Sequence, residues 1–139
     1  MPVCLHVGFS MSKRPLQITM AAVGAIPLIT GILTMLGLGD PIYASAHIPQ
    51  NALLDGNLRF FGGLWLGIGI AMYWLIPYIE KQTVLFRALW LMIFLGGIGR
   101  LLSVLFLALP PWPFIAFTLL EIAGAPLFVM WQARIARGA

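Results

Sequence analysis

The chain has 139 residues, of which 61% are hydrophobic and only 9% charged, against about 45–50% and about 25% in a soluble domain. That excess of apolar surface excludes a soluble enzyme, a nucleic-acid module and a disordered tail, because the solvent for most of such a chain is lipid. The net charge of +4 comes from scattered basic residues that form no stripe for a nucleic acid, and the lone Cys4 leaves no intrachain disulfide, redox pair or cysteine metal cluster.

Residues 1–16 read as an N-terminal lead, apolar and patternless up to Met11 and then polar at Ser12-Lys13-Arg14. Lys13-Arg14 precedes an apolar run of over twenty residues with no clean small-residue cleavage site. This predicts a retained helix rather than a signal peptide. A bilayer core about 30 Å thick needs roughly 20 mostly apolar residues per helix. Four stretches reach that length, at about 17–38, 57–76, 85–109 and 114–131. None alternates with period two, which excludes a transmembrane barrel. The breaks between them carry turn chemistry: Gly39-Asp40-Pro41, Pro77, and Pro110-Pro111-Trp112-Pro113. The expected architecture is an all-α, integral-membrane four-helix bundle over residues 17–132, followed by a basic tail at 133–139.

Orientation follows from Lys and Arg. Lys13 and Arg14 precede the first span, Lys81 and Arg87 flank the second turn, and Arg134 and Arg137 follow the last span. The other two connections carry none. Six against none on alternating sides predicts that both termini face the cytoplasm, in a bacterial inner membrane.

Three charges fall inside the spans: Arg59, Arg100 and Glu121. Each costs about 2.5–3.5 kcal/mol on insertion scales, so each calls for a reason. Arg100 and Glu121 lie at matching depths, about 10–14 Å below the outer surface. Their spans are joined by a short connection and are antiparallel neighbours. An ion pair between them is expected. If the second helix starts at Asn51 as an N-cap, Arg59 reaches the same level, with Asp55 one turn above it in the favourable i,i+4 order. Asn57 lies roughly 200° round the helix from Asp55.

The glycines are arranged in mirror fashion. Arg59 precedes Gly62-Gly63, Gly67 follows one turn later, and Gly96-Gly97 precedes Arg100. Small residues let membrane helices approach closely, so these five positions are expected to mark a helix contact between the second and third spans. Ser103 and Thr118 each lie one turn outward of Arg100 and Glu121. Asn57, Arg59, Arg100, Ser103, Thr118 and Glu121 therefore outline a polar chamber in the outer half of the bundle. The competing reading is that the buried charges pair only to fix helix register. In that chamber Arg59, whose only expected partner is Asp55, is the spare cation for a ligand, and Arg100 is the structural one.

No catalytic set, Walker loop or dinucleotide fingerprint is present. His6 with Cys4 makes no metal site, and His47, on the outer loop with Tyr43 and Asp40, reads as a solvated side chain rather than a ligand. Trp112, Trp74, Tyr78 and Trp131 fall where an aromatic belt is expected. Neither a cofactor nor a metal is expected, and an enzyme is disfavoured, because no second titratable group of suitable chemistry is visible to work with Glu121.

The order Asn57-x-Arg59-x-x-Gly62-Gly63-x-x-x-Gly67, then Gly97-x-x-Arg100-x-x-Ser103, then Glu121 resembles a bacterial family of small four-helix membrane proteins, domain of unknown function 4345. The resemblance covers about residues 18–131 and implies a four-helix inner-membrane bundle without an assigned activity. A looser similarity to the DoxX-like group rests on layout alone. Two functions compete. One is a binding protein for a small amphipathic or anionic molecule. The other is an accessory subunit docking a membrane protein, or a second copy, through its glycine faces. A transporter fits less well, as the sequence has neither convincing inverted repeats nor a polar track to the cytoplasmic half.

Overall fold

The structure is a computed structural model that describes residues 12–44 and 47–138. The apolar lead up to Met11, with Cys4 and His6, lies outside the described residues. Six α-helices follow in order: α1 (Arg14–Thr34), α2 (Pro41–Ala44), α3 (Ala52–Leu75), α4 (Thr83–Phe106), α5 (Trp112–Leu119) and α6 (Ala125–Arg137). Single 3-10 turns at Gly37–Gly39 and Ile76–Tyr78 and a π-helical turn at Leu120–Gly124 join them, and no strand occurs among the described residues.

Four segments are long and apolar enough to cross a membrane: Arg14–Thr34, Ala52–Tyr78, Thr83–Phe106 and Trp112–Arg137. Only 22–28% of each core window is buried, so most of the apolar side chains look outward, as lipid solvation requires. The chain is an all-α, multi-pass membrane protein.

The boundaries have local causes. The first helix stops at Thr34, short of the expected 38, because Gly37 takes φ 65° and reverses the chain. The second begins earlier than the apolar run suggests: Asn51 Oδ1 accepts the Leu54 N–H at 3.0 Å, capping α3 before Ala52. The third stops at Phe106, ahead of the Pro110-Pro111 pair.

The chain divides into two compact units, Gln17–Pro77 and the residues from Tyr78 onward, the latter joined by those just before Gln17. The first is a helical hairpin in which α1 and α3 run antiparallel. Gln17 Nε2 donates to the Ile76 carbonyl at 2.9 Å, the Tyr73 hydroxyl to the Ala21 carbonyl at 2.7 Å, and Trp65 Nε1 to Thr30 Oγ1 at 2.8 Å. Glycines allow the backbones to touch. A Cβ on Gly31 would lie 2.6 Å from the Leu66 nitrogen, and one on Gly62 would lie 2.6 Å from the Met35 nitrogen.

The second unit is also an antiparallel hairpin, α4 against α5, the π turn and α6. Trp90 stacks on Phe128 at 4.2 Å between centroids. Gln132, fully buried, donates to the Ile79 carbonyl and to Thr83 Oγ1, both at 2.9 Å. The π turn has a cause in Pro126. That residue has no N–H for the Ile122 carbonyl and its ring crowds that carbonyl, so the helix widens over the preceding turn.

Candidate polar sites in the two hairpins

In the first hairpin the charged residues close a loop. Arg59 Nε donates to Asp55 Oδ2 at 2.7 Å, and Arg59 Nη1 reaches the Met35 carbonyl, just past the end of α1, at 3.0 Å. The Leu38 N–H donates to Asp55 Oδ1 at 2.8 Å. Asp40, placed by the sequence on the outer loop, is fully buried: its carboxylate accepts from the Thr34 hydroxyl at 3.2 Å and the Ile42 N–H at 2.9 Å. The loop packs so tightly that a Cβ on Gly37 would collide with Asp55 Oδ1. The expectation that Arg59 is a weakly held, spare cation is therefore corrected. Its guanidinium ties the second transmembrane helix to the end of the first, with three hydrogen bonds to Asp55 and Met35.

In the second hairpin the expected ion pair forms, with Arg100 Nε 3.1 Å from Glu121 Oε2. Gly97 makes it possible by admitting the partner helix: a Cβ there would lie 2.8 Å from the Glu121 Cβ and 2.9 Å from Ile122 Cγ1. The π turn carries Glu121 at this contact. Glu121 is buried at 5% exposure, and its Oε2 lacks an aligned hydrogen-bond donor. The pair is electrostatic rather than a formed hydrogen bond.

Arg100 has more to offer than Glu121 uses. Its guanidinium carbon sits 5.8 Å from the Phe114 ring centroid, and its terminal Nη groups make no hydrogen bond among the described residues. It lines a cavity of about 180 Å³ with Ser103, Val104, Pro110, Phe114 and Thr118. The Thr118 hydroxyl donates to the Phe114 carbonyl at 2.8 Å, which fixes one wall. The Ser103 side chain is exposed at the rim.

The other expected site residues are placed as follows. Asn57 is exposed on α3 and makes no hydrogen bond among the described residues. Gly62 and Gly97 each receive a neighbour, but from their own hairpin partners, the end of α1 and the π turn. A Cβ on Gly63, Gly67 or Gly96 would meet nothing within 4 Å. The reason is angular: glycines adjacent in sequence point about 100° apart on a helix, so one of each pair faces the partner and the other does not.

The family whose sequence pattern matches the chain is described as a domain of unknown function (DUF4345), and the match spans residues 15–132. No curated protein and no solved structure matches the chain.

Proposed function

The chain belongs to the DUF4345 family, and from its own geometry we propose that it binds a small amphipathic molecule through an acceptor oxygen on the head group. The site is the Arg100 cavity in the outer half of a bacterial inner membrane, with both termini cytoplasmic. The observation that carries this reading is the half-used guanidinium. Glu121 neutralises Arg100 and pins its Nε, while the terminal nitrogens remain beside a half-open cavity. An unpaired donor fork in a low-dielectric setting favours a carboxylate, phosphate or carbonyl oxygen.

Size supports the amphipathic assignment. At about 30 Å³ for each water-sized volume, a cavity of about 180 Å³ holds a head group and little else. The apolar remainder then lies along the exposed Leu105 and Phe106. The six-to-none distribution of basic residues supports the orientation.

Mass spectrometry of small molecules that co-purify in detergent tests the proposal. Ser103→Leu fills the cavity without touching the ion pair, and Arg100→Lys keeps the charge but removes the fork. Both are expected to lose the bound molecule while thermal unfolding stays within a few degrees of wild type. Retention of the same molecule by both variants overturns the assignment.

A second reading, an accessory subunit, is favoured by the open faces at Gly63 and Gly67, one turn apart on α3. Such a strip accepts another membrane helix or a second copy. Leucine at both positions is then expected to abolish association without affecting the ligand.

A further inference from the structure

We propose that the second hairpin carries a separate lipid site, a groove between α4 and α6 that takes one acyl chain of an anionic phospholipid and holds its phosphate at Arg87. The groove has a volume of about 360 Å³ and is lined by Leu91, Phe94, Ala125, Pro126 and Val129, with Trp90 and Arg87. Arg87, Trp90, Leu91 and Phe94 recur at i, i+3, i+4 and i+7, so they form one face of α4. Trp90, at 1% exposure and stacked on Phe128, makes a rigid wall. The volume corresponds to about a dozen waters at about 30 Å³ each, which is acyl-chain bulk rather than head-group bulk.

Charge selects the occupant. Arg87 is the only charged residue in the lining, it is exposed, and it makes no ion pair or hydrogen bond among the described residues. It sits in the second turn of α4, whose N-cap residue Gln82 contributes no side-chain hydrogen bond. An anion at this end of the groove therefore meets the Arg87 guanidinium, the one charged group in the lining. From Arg87 the apolar wall runs about 10 Å along α4 to Phe94, at 1.5 Å per residue. A cation at one end of an apolar slot matches an anionic lipid, whereas a purely apolar partner helix leaves Arg87 without an acceptor. Arg100 lies roughly 20 Å from Arg87 along the same helix, about 9 Å beyond Phe94, and its cavity shares no lining residue with the groove.

The test uses the full chain in detergent, with phosphatidylglycerol or phosphatidylcholine of identical acyl chains as the probe and native mass spectrometry as the readout. Wild type is expected to retain roughly tenfold more of the anionic lipid, the scale of one charge-assisted contact. Arg87→Gln is expected to bring both lipids to the same level. Arg134→Gln, an exposed cation outside the groove, is expected to leave the preference unchanged. Val129→Trp fills the slot and lowers retention of both lipids; where it does not fold, Leu91→Trp serves instead. Arg100→Lys leaves this binding unchanged, which separates the outcome from that of the head-group cavity. Equal retention of both lipids by wild type overturns the proposal, as does an Arg87→Gln result matching Arg134→Gln. A lipid-free dimer in the same spectra assigns the groove to a second copy and also overturns it.

Discussion

Each hairpin holds one arginine inside a membrane-capable helix, three residues from a glycine that admits the partner helix: Arg59 with Gly62, and Arg100 with Gly97. The carboxylates differ in where they reside. Asp55 is one turn from Arg59 on the same helix, so the pair forms without help and the guanidinium has a nitrogen left for the Met35 carbonyl. Glu121 comes from the opposite helix and engages only Nε of Arg100, and the terminal nitrogens make no hydrogen bond among the described residues. The same residue type thus serves as a loop clamp in one hairpin and as an open donor in the other. The difference is made by the chain that follows α1: a glycine turn with φ 65° brings Met35 and Leu38 against the Arg59–Asp55 pair, whereas after α4 Pro110 lines the Arg100 cavity.

The glycines provide the harshest way to break either site. Gly62→Leu drives a side chain into the backbone of Met35 and Thr34, which cannot move aside. Gly97→Leu meets the Glu121 Cβ and the side chain and backbone of Ile122. Each is expected to cost about 3 kcal/mol or more, the upper end of overpacking, with Gly62→Leu the worse. Gly63→Leu and Gly96→Leu, which enter open space, are expected to leave thermal unfolding in detergent within a degree or two. Equal damage from both members of a pair would show that the partner helices do not sit where the structure places them.

Removing the arginines tests the clamp against the open donor. Arg100→Gln strands a buried carboxylate and is expected to cost roughly 3 kcal/mol, in the range for one broken partner of a buried pair. Arg59→Gln leaves Asp55 with the Leu38 N–H and frees the Met35 carbonyl, a smaller loss than that of Arg100→Gln because the Arg59 pair is exposed. The signature of the clamp is where the loss appears. Hydrogen exchange at Leu38 and Asp40 is expected to rise in Arg59→Gln and to stay at wild-type protection in Arg100→Gln. Gly37→Ala, which pushes a methyl onto Asp55, is expected to reproduce the Arg59→Gln exchange pattern at about 1–2 kcal/mol. If Arg59→Gln leaves the loop protected, the clamp assignment fails.

Much of this arrangement was legible in the residues. Four apolar runs of bilayer length could only be spans, Asn51 was a visible cap, and both ion pairs followed from spacing and depth. What escaped was contact supplied by loops and by backbone. Nothing in composition marks Met35 as the partner of Arg59, because that contact depends on the turn at Gly37, and Asp40 reads only as an outer-loop residue until the loop is closed around it. A Gly-Gly pair advertises a close approach without saying which helix approaches, and the neighbours proved to be the hairpin partners. The π turn under Glu121 had a signal in Pro126, four residues after the carbonyl it cannot satisfy.

The smallest expected effect comes from a third ion pair, outside the spans, where water replaces lipid as the surroundings. Lys13 Nζ donates to Glu80 Oε1 at 2.7 Å, with side chains 43% and 15% exposed. The lysine hydrogen bond holds the Glu80 carboxyl below its ordinary range, helped by a backbone hydrogen bond at Glu80 itself. Since the folded state then binds a proton less readily than the unfolded chain, the contribution is present in full above the ordinary glutamate pKa, near 4.3. It is lost as the pH falls from there through the depressed folded value, and it does not vary between pH 6 and 8. Because the lysine is well solvated, its worth is under about 1 kcal/mol and salt weakens it. Lys13→Gln is therefore expected to shift thermal unfolding by a degree or two at pH 7 in low salt, with the shift shrinking as the pH falls below the ordinary glutamate pKa and in high salt. Arg100→Gln, measured alongside, is expected to keep its effect in high salt, because Glu121 is buried at 5% exposure. A Lys13→Gln penalty as large and as salt-resistant as that of Arg100→Gln would mean that exposure does not grade these pairs, and the contrast between lipid-level and water-level arginine and lysine would collapse.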